Sequence, residues 1–149
     1  MKVHHFGIDL DSISFSPRQW CPGEPLKVLL AATFREKKGL IYAIEALGQI
    51  RNTIPLELII IGDAGQEPDS QQEKVATTHC DIPEVVGSAF AHLLAPERDV
   101  AKLAKCIQSL LNEPDSWSSL MLEGRKHIEN EYHQIKQAER LTDHYNEIV

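Results

Sequence analysis

The stretch "KVLLAATFREKKGLIYAIEAL", Lys27 to Leu47, changes character twice. A run of apolar residues gives way to five residues dense with charge, then a glycine, then an apolar pattern of a different period. "LKVLLAAT" is short, apolar and bounded by breakers, as a strand buried on both faces would be. From Gly39 onward Leu40, Ile44 and Leu47 fall on one helical stripe, with Ala43, Ala46 and Ile50 beside it. "LELIIIG" then reads as a second buried strand, stopped by Gly62, Asp63 and Gly65. Strand, helix and strand with little alternation in the strands predict a parallel sheet in an α/β domain.

In such a sheet ligands sit at the carboxyl ends of the strands, where helix N-termini point unpaired N–H groups at the site. "FREKKG" occupies that place. Arg35, Lys37 and Lys38 would add side-chain cations to the helix dipole, and Gly39 lets the backbone approach a ligand closely. The chemistry suits a phosphate or diphosphate. A Lys/Glu-rich loop in this place is more often simply a solvated surface. The spacing matches neither GxxxxGK[ST] nor GxGxxG, so a P-loop and a dinucleotide fingerprint both fit poorly.

Outward from this core, "VHHFGIDL" reads as a short edge strand or the tail of a linker. Residues 11–25 hold Pro17, Pro22, Gly23 and Pro25 and read as loop. In the middle, "QEPDSQQEK" is polar, "VATTHC" reads as a strand, "DIPEVVG" as one helical turn and "AHLLAP" as a short strand. Farther on, Val100, Leu103, Ala104, Ile107, Leu110 and Leu111 follow a helical period, with Asp99 placed to cap it. Pro114 opens another helix with the stripe Trp117, Leu120, Met121, Gly124 and Ile128. The last helix carries Ile135, Ala138, Leu141, Tyr145 and Ile148.

With 149 residues the chain is about one domain. The reading is a single domain over 1–149: linker, edge strand and loop over 1–25, a first βαβ part over 26–74, and final strands with C-terminal helices over 75–149. A net charge of −7 argues against a general nucleic-acid binder. No apolar run reaches the roughly 18 residues of a membrane helix, and the start has no signal-peptide apolar region. Cys21, Cys80 and Cys106 form no CxxC and no zinc-like spacing with histidine. Neither a metal nor a bound cofactor is expected, and reduced thiols suit a cytoplasmic protein.

Five segments in this order, "HHFGIDLDSISFSPR", "FREKKGLIYAIEAL", "LELIIIGDAG", "VATTHCDIPEVVG" and "LLAPERDVAKLAKCIQSLLNEP", resemble the C-terminal half of retaining group 1 (family four) glycosyltransferases of the GT-B fold. The bacterial polysaccharide enzymes of the colanic-acid type are the nearest in flavour, and the resemblance covers residues from about 3 to 149. It implies a Rossmann-like parallel sheet that binds a nucleotide diphosphate sugar, the donor substrate of a hexosyltransferase. It also implies an acceptor-binding N-terminal domain that this chain lacks, and a cytoplasmic parent enzyme, peripheral at the inner membrane face.

The family loop G-R-x-x-E-K-K-G, whose Arg and last Lys hold the donor diphosphate, falls on Ala32 to Gly39. Its Lys becomes Lys38 and its last glycine Gly39, while Thr33 stands where the Arg would be. Arg35, two residues on, is placed to reach the same phosphate. Gly62, Asp63 and Glu84 would line the cleft, although Glu84, at a short helix start, reads first as a structural residue. Only about a dozen residues separate "GDAG" from "VATTHC", so about two strand-helix units of the family pattern are missing near 74/75. The family's E-x7-E glutamates would lie in the lost stretch, so no catalytic residue is assigned. Losing central strands would leave "KVLLAAT" with an open edge. "VATTHC" pairs there, or two copies exchange elements as a homodimer, or the segment belongs to the molecule without appearing in this chain.

Smaller features carry plain readings. His4 and His5, adjacent on a strand, point to opposite faces and make a poor metal pair. Cys80 beside His79 and Asp81 reads as a small buried hydrophobe rather than a nucleophile. Asp63 would be a phospho-acceptor only with an acidic pair after the first strand, where Thr33 and Phe34 stand instead. Trp20 and Trp117 read as packing residues. A second function class follows from the losses: a non-catalytic relic or interaction module that keeps the fold without the site.

Overall fold

A computed structural model describes residues 4–34, 38–63 and 85–147 of the chain. These residues form a mixed helix and strand structure: β1 (Leu26–Ala31), α1 (Leu40–Ile50), β2 (Leu56–Ile61), a 3-10 helix (Ser88–Leu93), α2 (Val100–Asn112), a short 3-10 turn (Pro114–Ser116), α3 (Trp117–Glu131) and α4 (Gln134–Asn146). The strands are parallel, with Leu26 opposite Leu56 and Ala31 opposite Ile61. The chain divides into two units, one of Gln19–Asp115 and the other of Met1–Arg18 with Ser116–Val149.

In the first unit the β-α-β reading holds. Gly39 precedes α1 in the left-handed region, at φ 68°, which costs a residue with a Cβ about 1–2 kcal/mol. α1 ends where the Thr53 N–H and hydroxyl both turn to the Ile50 carbonyl, just ahead of Pro55, which cannot extend a helix. Ala46, Leu47 and Ile50 are buried on α1, which packs against α2, where Ala104, Cys106 and Leu111 are buried. Full burial of side chains the size of Leu47 or Ile50 contributes roughly 1.5–3 kcal/mol each. Asp99 caps α2 as its position predicts, its carboxylate accepting the Lys102 N–H at 2.8 Å. Trp20 is a packing residue, buried and donating its indole N–H to the Glu24 carbonyl at 3.0 Å.

Two expectations for this unit change. The strands are not buried on both faces. Leu26, Val28, Leu30, Leu56 and Leu58 point inward, while the alternate positions face out, leaving Leu29 59% and Ile61 58% exposed. Leu26 is buried and the other inward side chains are half-buried, and no element among the described residues covers the outward ones. "AHLLAP" is also not a strand. The chain turns at Gly87 into a 3-10 helix, held by Phe90 N–H to the Gly87 carbonyl at 3.2 Å and ended by Leu94 N–H to the Ala91 carbonyl at 3.2 Å. Apolar runs this short carry no period that separates the two states.

In the second unit, "VHHFGIDL" is an extended segment with one parallel bridge, Ile8 to His133, rather than a full edge strand. His5 is half-buried against Tyr132, with ring centroids 5.0 Å apart, and His4 is exposed, as adjacent extended residues should be. Arg125 of α3 holds the loop that follows. Its guanidinium donates to the carbonyls of Leu10 at 3.3 Å and Ile13 at 3.4 Å, bonds Glu129 at 2.6 Å and lies 5.8 Å over the Phe15 ring. The α3 stripe is half-buried as expected.

The stripe of α4 is not buried: Ile135 is 54% and Tyr145 65% exposed, and the buried residue is Gln137. Polar anchors turn the helix this way. Gln137 donates to the Glu131 carbonyl, and Arg140 reaches the Glu131 carboxylate at 2.9 Å and the Asn130 carbonyl at 3.3 Å.

No helix among the described residues is long and apolar enough to cross a membrane. "VATTHC" and the link at 73–76 lie outside the described residues.

Candidate functional site

The candidate site begins where β1 and β2 end. Their pairing continues past the strands: Ala32 N–H donates to the Ile61 carbonyl at 3.0 Å, and Phe34 N–H to the Asp63 carbonyl at 2.8 Å. This extension depends on Gly62. A Cβ built there would lie 1.9 Å from the Ala32 carbonyl oxygen and 2.9 Å from Cε1 of Phe34. The glycine thus lets the two chain ends run together to the carboxyl edge of the sheet, with the Phe34 ring packed over it.

Five sequence-predicted residues stand at this edge. Thr33 is exposed, between the two bonded residues Ala32 and Phe34. Gly62 and Asp63 face it from the end of β2, and the Asp63 side chain is in solvent. Gly39 is buried at the start of α1, its carbonyl accepting the first helical bond from Ala43 N–H at 3.0 Å. Lys38, one residue earlier, is exposed. Arg35, Lys37 and Glu84 lie outside the described residues, and with them the substitution of Arg35 for the family arginine.

The electrostatics of this edge follow from the helix end. α1 has no side-chain cap and no acidic residue in its first turn. Among the described residues nothing offsets its first N–H groups, which carry the positive end of the macrodipole. Such an end, with a lysine beside it, attracts an anion. Asp63 is the one acidic feature among the placed site residues, and a carboxylate there is a hydrogen-bond acceptor for hydroxyls rather than a phosphate ligand.

Phe34 is the residue that sequence reasoning passed over. It is 47% exposed and at the mouth of the site. The signal was its position directly after a strand, where a large apolar side chain has no core to enter. Elsewhere, Cys80 with His79 and Asp81 lies outside the described residues. No group of three or more His, Cys, Asp or Glu residues suited to a metal ion occurs among the described residues. No family model, curated protein or solved structure matches the chain significantly.

Proposed function

We propose that the chain is the donor-binding domain of a retaining glycosyltransferase, one that transfers a hexosyl group from a nucleotide diphosphate sugar to a polysaccharide or lipid-linked acceptor. The observation that carries this reading is the uncapped N-terminus of α1, flanked by Lys38 and Gly39, at the carboxyl edge of a parallel β-α-β unit. In Rossmann-like halves that edge is where a diphosphate lies, and an acidic residue at the end of the second strand takes a ribose hydroxyl. Asp63 stands in that second position. The order of the five family-like segments points the same way.

In this role the α1 N–H groups and the Lys38 ammonium hold the diphosphate. As the sugar leaves, negative charge grows on the departing oxygen, and fixed positive groups stabilise it most at that moment. The Phe34 ring offers an apolar surface at the same mouth. Without an E-x7-E pair in the family's position, the chain by itself binds donor without transferring sugar.

Thermal unfolding with UDP and with GDP tests the reading. A ligand at ten times its Kd should stabilise the chain by about 1.4 kcal/mol, or about 3–6 °C. Lys38→Ala should lose most of that shift. No shift with either nucleotide would remove the proposal.

One face of the sheet, with Leu29, Ile59 and Ile61 exposed and not covered by any element among the described residues, favours a second reading. Here the chain is a non-catalytic relic of the same fold that associates with a second copy through its sheet. Sedimentation velocity would then give a dimer, with no response to nucleotide.

A further inference from the structure

The turn between α3 and α4 is built on a histidine. His133 is the N-cap of α4, and its Nδ1 accepts the Ile135 N–H at 3.3 Å. Only a neutral imidazole with its proton on Nε2 can do this, because both nitrogens donate in the cation. The Nε2 side lies 3.6 Å from the carboxylate of Asp11, on the N-terminal segment. The backbone ties the same two elements. Ile8 N–H donates to the Tyr132 carbonyl at 2.7 Å, and Gln134 N–H to the Ile8 carbonyl at 3.0 Å. A Cβ on Gly7 would lie 2.5 Å from Cα of Gln134, so the segment runs directly against the start of the helix.

We infer that His133 is a proton-sensitive cap, which holds the first turn of α4 when neutral and, when protonated, releases the Ile135 N–H and turns its charge to Asp11. Asp11 is 74% exposed, so its attraction is screened by water and does not replace the lost cap. The other ionisable groups at the turn are His5 and His127 against the Tyr132 ring, Glu131 bonded to Arg140, and Lys136 bonded to Asn130. None of them accepts the Ile135 N–H. A proton thus loosens the first turn of α4, while Nε2 stays turned to Asp11. This device stands independently of any nucleotide site.

The test is an NMR titration of the whole chain from pH 8 to pH 5, following the Ile135 amide and the His133 ring. The Ile135 amide proton should move upfield with the same midpoint as the His133 ring. Its hydrogen exchange, corrected for the intrinsic effect of pH, should quicken about fivefold, the size of one lost cap. In His133→Asn the side-chain oxygen caps without titrating, so the Ile135 response should vanish while α4 remains. An Ile135 amide that stays still while the His133 ring titrates would overturn the inference. So would an unchanged response in His133→Asn, which would assign it to His5 or His127. If the variant does not fold, the wild-type titration decides alone.

Discussion

Gly62 and Ala32 meet so closely that the carbonyl oxygen of Ala32 occupies the space of a side chain: a Cβ on Gly62 would lie 1.9 Å from it. The contact lets β1 and β2 stay paired up to the residues that form the candidate site. Gly62→Ala must push backbone apart, and the expected cost is about 1–3 kcal/mol, read from urea unfolding. Gly48, inside α1, is different, because a Cβ there would meet nothing within 4 Å. Gly48→Ala should therefore stabilise the chain by about 0.5–1 kcal/mol. Equal effects from the two substitutions would contradict this account of the sheet end.

The cap on α2 gives a second prediction. Asp99→Ala removes the acceptor of the Lys102 N–H and should cost about 1 kcal/mol, whereas Asp99→Asn keeps an acceptor and should cost only a few tenths. Chemical denaturation of the three proteins separates the cap from the charge.

Arg125 supports the N-terminal segment through two carbonyls and a ring at once. A lysine keeps the charge but not the planar fork. Arg125→Lys should cost about 1–2 kcal/mol. Hydrogen exchange of the amides over 8–15 should rise more than that of α2, and uniform exchange across both would argue against this role.

Glu131 gives a prediction with a defined pH sign. The hydrogen bond from Arg140 holds its carboxyl below the ordinary glutamate value, with the charges of Arg140, His127 and His5 adding to the effect and burial opposing it. A lowered folded-state pKa contributes stability that is fully present above the unfolded value, about 4.5, and lost as pH falls through the lower folded value. Both side chains are 43% exposed, so the contribution at pH 7 is held to less than about 1 kcal/mol by solvent screening. Glu131→Gln should cost that amount at pH 7 and progressively less as pH falls below about 4.5, by thermal unfolding across that range.

The β-α-β core was legible because its signals are local and redundant. The change of period at Gly39, the breakers around each strand and the Asp99 cap each state one element, and they agree. The outward face of Leu29 and Ile59 was not legible, since an apolar run carries no mark of which face a partner will cover. The orientation of α4 was misread for a physical reason. Periodicity ranks Ile135, Leu141 and Tyr145 as the buried face, but Gln137 and Arg140 bond the end of α3 and turn that face outward. The positions of Lys38 and Gly39 before a helix and of Gly62 after a strand were legible from residue type. The tight contact of Gly62 with Ala32 and Phe34 is a long-range fact that residue type cannot express.

The most direct measurement is isothermal titration of UDP and GDP into the wild-type chain and into Lys38→Ala. The donor-site account predicts saturable binding of one of them to the wild type. It also predicts affinity reduced about tenfold or more in Lys38→Ala, as expected for loss of a charged hydrogen bond. No binding to the wild type, or equal affinity in the two proteins, would contradict it.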